Sequence, residues 1–183
     1  MKIILISGKA QHGKDTFANK LQLYFEPYNT KIVHFADALK FVCSQYYDWN
    51  GVKDNLGRTI LQRVGTEVVR EQDEHFWTDF AARLIKTFKY VDYVIIPDWR
   101  FDEEIERLSD YFNFEDIIKV RVDRGSYIPP QMTEEQLNHR SETELDDYPF
   151  DFIIDNTSDL FQLEESAKEL VRYLQPTFTM TIR

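Results

Sequence analysis

Apolar residues along this chain alternate between two periods. Short continuous runs at 2–6, 31–35, 90–96, 117–122 and 152–154 read as strands buried on both faces, and the stretches between them carry helical spacing. That alternation predicts an α/β fold with a five-stranded parallel sheet covered by helices on both faces. The first helix starts near Lys14 and places Phe17, Ala18, Leu21, Tyr24 and Phe25 on one stripe, with Pro27 just beyond it.

Three helical stretches, 38–47, 59–71 and 75–88, precede the third strand, more than one crossover needs, so a helical substrate subdomain is expected at about 37–89. Further helices are expected at 102–112 and 159–174. The latter has Leu160, Leu163, Ala167, Leu170 and Leu174 on one face and Asp159 as its cap. Periodicity disappears between Arg124 and Leu145, where Gly125, Pro129 and Pro130 sit in a polar run; a mobile, lid-like loop is expected at 124–145. One domain at 1–175 accounts for these elements. In the tail at 176–183, Phe178, Met180 and Ile182 alternate as an added edge strand would, and disorder is the competing reading.

Composition narrows the function classes. With 183 residues and 43% apolar content, a single domain can bury about 70% of its unfolded surface. A net charge of −10 argues against a surface built to neutralise nucleic-acid phosphates, yet leaves room for a small phosphorylated ligand in a local basic pocket. Cys43 stands alone, so no internal disulfide forms. A signal-peptide pattern and a membrane-length apolar run are both lacking, and a cytoplasmic protein without a membrane partner is expected.

The most informative segment follows the first strand: Gly8, Lys9, Ala10, Gln11, His12, Gly13, Lys14, Asp15 and Thr16. It matches G-x-x-x-x-G-K, in which glycines curl the backbone so that successive N–H groups and a helix N-terminus face phosphate while the lysine adds charge. ATP binding is expected there. The residue after the lysine is normally Ser or Thr, whose hydroxyl meets Mg²⁺; here Asp15 stands in that place with Thr16 behind it, and either is a candidate metal contact. The run Val91 to Asp98 is an apolar strand ending in an acid, which puts the Asp98 carboxylate beside the loop to hold Mg²⁺ or its waters. Capping a helix is the competing role. Arg100, two residues on, suits bidentate phosphate contacts.

Beyond the loop, the chain carries Phe35 to Lys40 after the second strand, Gln62 with Gly65, Thr66, Glu67 and Arg70, then Asp98 to Phe101, and His139 to Glu142. In this order and spacing the motifs resemble those of the deoxynucleoside monophosphate kinases of bacteriophages and their bacterial relatives, over nearly the whole chain to about Leu174. In that family an aspartate is an accepted ending of the loop. The resemblance implies a three-layer P-loop kinase fold, an inserted monophosphate-binding subdomain and an arginine-bearing lid, in the host cytoplasm if phage-encoded.

It further implies transfer of the γ-phosphoryl of ATP to a deoxynucleoside 5′-monophosphate, with Mg²⁺ as cofactor. Phe35, Asp37, Lys40, Gln62, Gly65, Arg70, Trp77, Arg100 and Glu142 would then bind the monophosphate, and Lys14, Arg100, Arg124 and Arg140 would be catalytic. For Asp37 a helix cap is the alternative role. Trp77, Tyr46 and Tyr47 offer stacking on a base or crowding of the sugar 2′ position, against ordinary core packing. His12 is a candidate phosphate contact, and the four histidines lack zinc-ligand spacing. Another small-metabolite kinase on the same scaffold, such as a phosphomevalonate or dephospho-coenzyme A kinase, and a non-catalytic nucleotide-dependent switch are the alternatives. A homodimer is compatible with all of them.

Overall fold

A computed structural model describes residues 1–52 and 54–175, without the side chain of Thr66; the tail alternation at 177–183 lies outside the described residues. Five strands, β1 (Lys2–Ser7), β2 (Thr30–Ile32), β3 (Tyr93–Ile96), β4 (Ile117–Asp123) and β5 (Phe152–Asp155), form one sheet in the order β2-β3-β1-β4-β5. Every pairing is parallel, with Ile4 level with Ile95 and with Ile118. This is the sheet that the apolar runs predict.

Both faces of β1 are buried because its side chains alternate between two cores. Ile4 and Ile6 pack with Phe17, Leu21 and Phe25 of α1 (Lys14–Tyr24 and its C-cap) and with Leu163, Ala167 and Leu170 of α8 (Leu160–Leu174). Ile3 and Leu5 face Ala82 and Ile85 of α4 (Phe76–Lys86) and Ile105 and Leu108 of α5 (Asp102–Ser109). Helices α1 and α5 thus leave β1 and β3 on opposite faces. The divergence opens a crevice at the C-terminal ends of these two strands, where open α/β sheets bind ligands.

The helices between β2 and β3 form their own small core: Leu39 and Cys43 of α2 (Ala36–Tyr46), Trp49, Val64 and Trp77. Sequence spacing predicts one helix over 59–71; instead α3 (Asn55–Gln62) widens into a π-helical segment, Arg63–Arg70. The wider turn moves the apolar face. After buried Val64 the next residue packed on this core is Val69, five positions on, where an α-helical stripe would use Val68. The lid region is also more regular than predicted, holding α6 (Glu134–Leu137) and α7 (Arg140–Thr143). Helices this short give no readable periodicity. Each has its own cap, Thr133 with Gln136 for α6 and His139 for α7.

Strand ends moved where side chains compete for the backbone. Phe35, predicted to end the second strand, is the N-cap of α2, and Tyr90, predicted to begin the third, is an exposed residue at φ 59.

Candidate functional site

The loop after β1 is wound around two glycines at positive φ. Gly8, at φ 143, lies so close to β4 that an added Cβ would meet the Val122 carbonyl oxygen at 2.3 Å, and Gly13, at φ 95, begins α1 against the Asn156 amide. Side chains would close the loop at either place. Lys14 folds back over this loop and donates from Nζ to the carbonyls of Gly8 at 2.7 Å and Lys9 at 2.8 Å. Burial, helped by the Arg100 charge, holds its pKa well below the ordinary lysine value. A buried ammonium facing carbonyl dipoles is a site prepared for an anion.

His12 has a different place from the expected phosphate contact. Its ring is buried; Nδ1 accepts the Arg124 backbone N–H at 3.0 Å, which leaves Nε2 to donate to the Tyr127 carbonyl at 3.3 Å. Burial lowers its pKa, in keeping with a neutral imidazole that pins the loop to the start of the lid segment. Asn156 pins the other side, donating to the His12 carbonyl at 2.9 Å. Beside the loop, a cleft of about 640 Å³ opens between Gln11, Thr16, Arg124, Asn156 and Ser158. Asn156 and Ser158 were missed from the sequence, where the only signal was the polar turn after β5.

A second cleft is lined on its apolar walls by Phe35, Leu39, Leu61 and Trp77. Its polar lining includes Gln62, Arg70, Asp98, Arg100 and Glu104. Six expected monophosphate-site residues, Phe35, Gln62, Gly65, Arg70, Trp77 and Arg100, therefore meet in one cavity with the metal candidate Asp98. Trp77 belongs to the core and also borders the cleft. Its Nε1 donates to the Gly65 carbonyl at 3.1 Å. Tyr46 and Tyr47 are exposed and belong neither to this cleft lining nor to the core.

Asp37 and Lys40 pair with each other at 3.0 Å on the exposed side of α2 and are outside the cleft lining. Asp37 also accepts the His34 N–H, a local turn contact. Glu142 is drawn to the loop instead of the cleft: one oxygen accepts the Ala10 N–H at 2.7 Å and the other pairs with Arg100 at 3.1 Å. Arg100 also donates to the carbonyls of Gly8 at 3.0 Å and Ser141 at 3.1 Å, joining loop, cleft and lid. Arg140 extends over Phe101 to Glu103 and Glu144, and Arg124 lies 4.1 Å over the Tyr127 ring.

Asp98 takes up its competing role as a cap: its two oxygens accept the backbone N–H groups of Phe35 at 3.0 Å and Ala36 at 2.9 Å, capping α2 from the turn after β3. Asp15 is more open, with Oδ1 3.1 Å from Nε2 of His34, whose pKa that hydrogen bond raises. Among the described residues no group of three or more His, Cys, Asp or Glu side chains could hold a metal by itself. Mg²⁺, which keeps most of its waters and uses one or two carboxylates together with phosphate oxygens, fits such a donor set through Asp15 and Asp98.

Glu104, at the third position of α5, escaped the sequence reading. It is 1% exposed and bonded to Arg70; burial nonetheless pushes its carboxyl up to about 7, with Arg70 pulling the other way. A raised acid favours the fold in its protonated form, so its contribution is present at low pH and is lost as pH rises from 4.5 to about 7. Between pH 5 and pH 8, urea unfolding should therefore show Glu104→Gln gaining roughly 3 kcal/mol relative to the unmodified protein. Parallel pH profiles for the two would mean that the carboxyl titrates normally.

No protein-family model matches the chain, and no curated protein matches it. Among solved structures, the Mycobacterium tuberculosis APS kinase CysC, in a cysteine-to-alanine mutant, superposes over 96% of this chain and 97% of its own with a TM-score of 0.51 and 12% identity. The fold is that of the P-loop kinases, as the loop and strand alternation imply. Among the described residues no helix is long and apolar enough to cross a membrane.

Proposed function

We propose that this protein transfers the γ-phosphoryl group of ATP to a deoxynucleoside 5′-monophosphate, giving ADP and the deoxynucleoside diphosphate. The observation that carries the reading is the position of Arg100, which touches the Gly8 carbonyl of the loop while lining a cleft that also holds Arg70, Gln62 and Trp77. Two anion-ready sites share one arginine. A flat apolar wall, an amide and a guanidinium suit a base, its hydrogen-bonding edge and a phosphate. The motif resemblance to deoxynucleoside monophosphate kinases supports the acceptor, and the fold shared with a kinase supports phosphoryl transfer alone. The donor base is assigned to the cleft beside Arg124 and Asn156.

The acceptor phosphate oxygen is already nucleophilic at neutral pH, so catalysis reduces to alignment, exclusion of water and neutralisation of developing charge. Lys14 and Arg100 supply that charge, and the Ser141–Glu142 turn of the lid covers it. A stabilising arginine contributes ~10³–10⁵ in rate, or about 4–7 kcal/mol, against about 0.3–2 kcal/mol for a helix dipole. Side-chain cations therefore dominate turnover, and the start of α1 positions the donor. Mg²⁺, held through Asp15 and Asp98, would offset charge on the donor phosphates.

Asp15→Asn should raise the Mg²⁺ concentration needed for half-maximal rate, while ATP binding without metal is unchanged or tighter. A metal titration that overlays the unmodified protein's would move the ligand role to Thr16. The reading itself is tested by coupled ADP release against the common deoxynucleoside and ribonucleoside monophosphates. ADP should appear in proportion to a deoxynucleoside monophosphate; dependence on another small metabolite, or indifference to any acceptor, would contradict it.

A further inference from the structure

Glu104 has two oxygens committed in different directions. Oε1 takes Nη2 of Arg70, while Oε2 accepts the backbone N–H groups of Arg100 at 2.8 Å and Phe101 at 3.1 Å. One buried carboxylate thereby ties a guanidinium from the π-helical segment before β3 to the turn after β3 that carries Asp98 and Arg100. Arg70 is also stacked, with its guanidinium carbon 4.1 Å from the centre of the Phe101 ring. A planar fork fixed at one terminal nitrogen and across its face retains little rotation, and its remaining edge has a defined direction.

That remaining edge, Nη1, pairs with Glu103 at 3.1 Å and the Glu74 carbonyl at 3.3 Å. Glu103 is held differently from Glu104. Its side chain is 12% exposed against 2% for Glu104, and its second oxygen already pairs with Arg140 of the lid at 3.0 Å. Two acidic side chains already occupy donors of one guanidinium, so an incoming phosphate finds a free edge on Arg70 only if one of them leaves. Glu103 has another cation to go to, whereas Glu104 is anchored to backbone.

Resting on the monophosphate-kinase reading, we propose that Glu104 is a positioning residue that orients Arg70 toward the acceptor phosphate, and that Glu103 is the partner the phosphate displaces. The two adjacent acids then have opposite effects. Glu104 preorganises the acceptor seat, and Glu103 competes for it.

The test uses Glu104→Gln, which keeps an oxygen for the Arg100 and Phe101 N–H groups while turning an amide donor toward Arg70. The apparent KM for the best monophosphate should rise at least tenfold, with the KM for ATP within twofold and folding retained by circular dichroism. In an Arg70→Ala background the same change should alter monophosphate KM less than threefold, because the residue acts through Arg70. Glu103→Gln should tighten monophosphate binding, since it removes the competing charge from Arg70. Equal losses for ATP and monophosphate, a full effect in the Arg70→Ala background, or unchanged or weaker binding in Glu103→Gln would overturn the proposal. Should Glu104→Gln not fold, Arg70→Lys carries the test: a lysine cannot hold Glu104 and present a second oriented donor, so a tenfold weaker monophosphate supports the proposal and unchanged binding overturns it.

Failure of the functional reading would be seen separately, as an unmodified protein that phosphorylates no nucleoside monophosphate. In that event inorganic phosphate, titrated calorimetrically with ADP saturating, still reads the Arg70 seat: tenfold weakening by Glu104→Gln supports the positioning role and unchanged binding overturns it.

Discussion

Lys14→Ala is expected to abolish nearly all of the proposed phosphoryl transfer, by roughly 10³-fold or more in kcat/KM, and to leave the fold intact. Lys14 is buried, but its ammonium contacts loop carbonyls at Gly8 and Lys9 instead of the apolar core. Truncation removes the cation that the proposed reading sets against the donor phosphates. It also removes two hydrogen bonds and the packing of the stem; Lys14→Met loses the charge and the hydrogen bonds as well but keeps most of the stem, and so isolates the packing. Both variants should lose turnover, while only Ala should loosen the loop enough to weaken ADP binding further. Steady-state rates and ADP titrations make the check, and near-normal turnover in either variant would remove the loop from the chemistry.

Arg100→Ala is expected to reduce kcat by about 10³-fold or more, with smaller changes in either KM. Its guanidinium spans the Gly8 carbonyl, the Ser141 carbonyl and Glu142, so it stands where loop, acceptor cleft and lid converge. An arginine that acts on transferring charge is used more in the transition state than in either ground state. Arg100→Lys should recover little, because a point charge cannot hold two carbonyls and a phosphoryl oxygen in one plane. A loss confined to monophosphate KM would instead make Arg100 a simple acceptor anchor.

Sequence periodicity located all five strands: β1 and β3 are buried on both faces and read as apolar runs, and the partly exposed β2, β4 and β5 still carry short runs rich in Ile, Val and Phe. Helix α8 was legible in its Asp159 cap, which accepts the Gln162 N–H at 2.9 Å, and in buried Leu163, Ala167 and Leu170, whereas Leu160, expected on the same face, is exposed in the first turn. What was hidden depended on contacts between distant segments. The π-helical widening at 63–70 leaves no local signature, and it exchanges Val69 for Val68 on the small core. Asp98 caps α2 from 62 residues away, a pairing that only the sheet order brings about.

In the candidate site, the loop and most of the cleft lining followed from motif spacing. The acids that hold its arginines did not. Glu103 and Glu104 look like ordinary first-turn helix acids in sequence, favoured there by the helix dipole. Only the fold turns Glu104 inward onto Arg70. Glu142 could be recognised as part of a motif but not as a ligand of the Ala10 N–H, because that contact spans 132 positions.

The most direct measurement follows the phosphorus atom itself: ATP labelled at the γ position is incubated with the unmodified protein, Mg²⁺ and each deoxynucleoside monophosphate, and the products are separated by chromatography. The account predicts label in a deoxynucleoside diphosphate, equimolar with ADP. Label found only in inorganic phosphate, or left in ATP with every monophosphate, would contradict it.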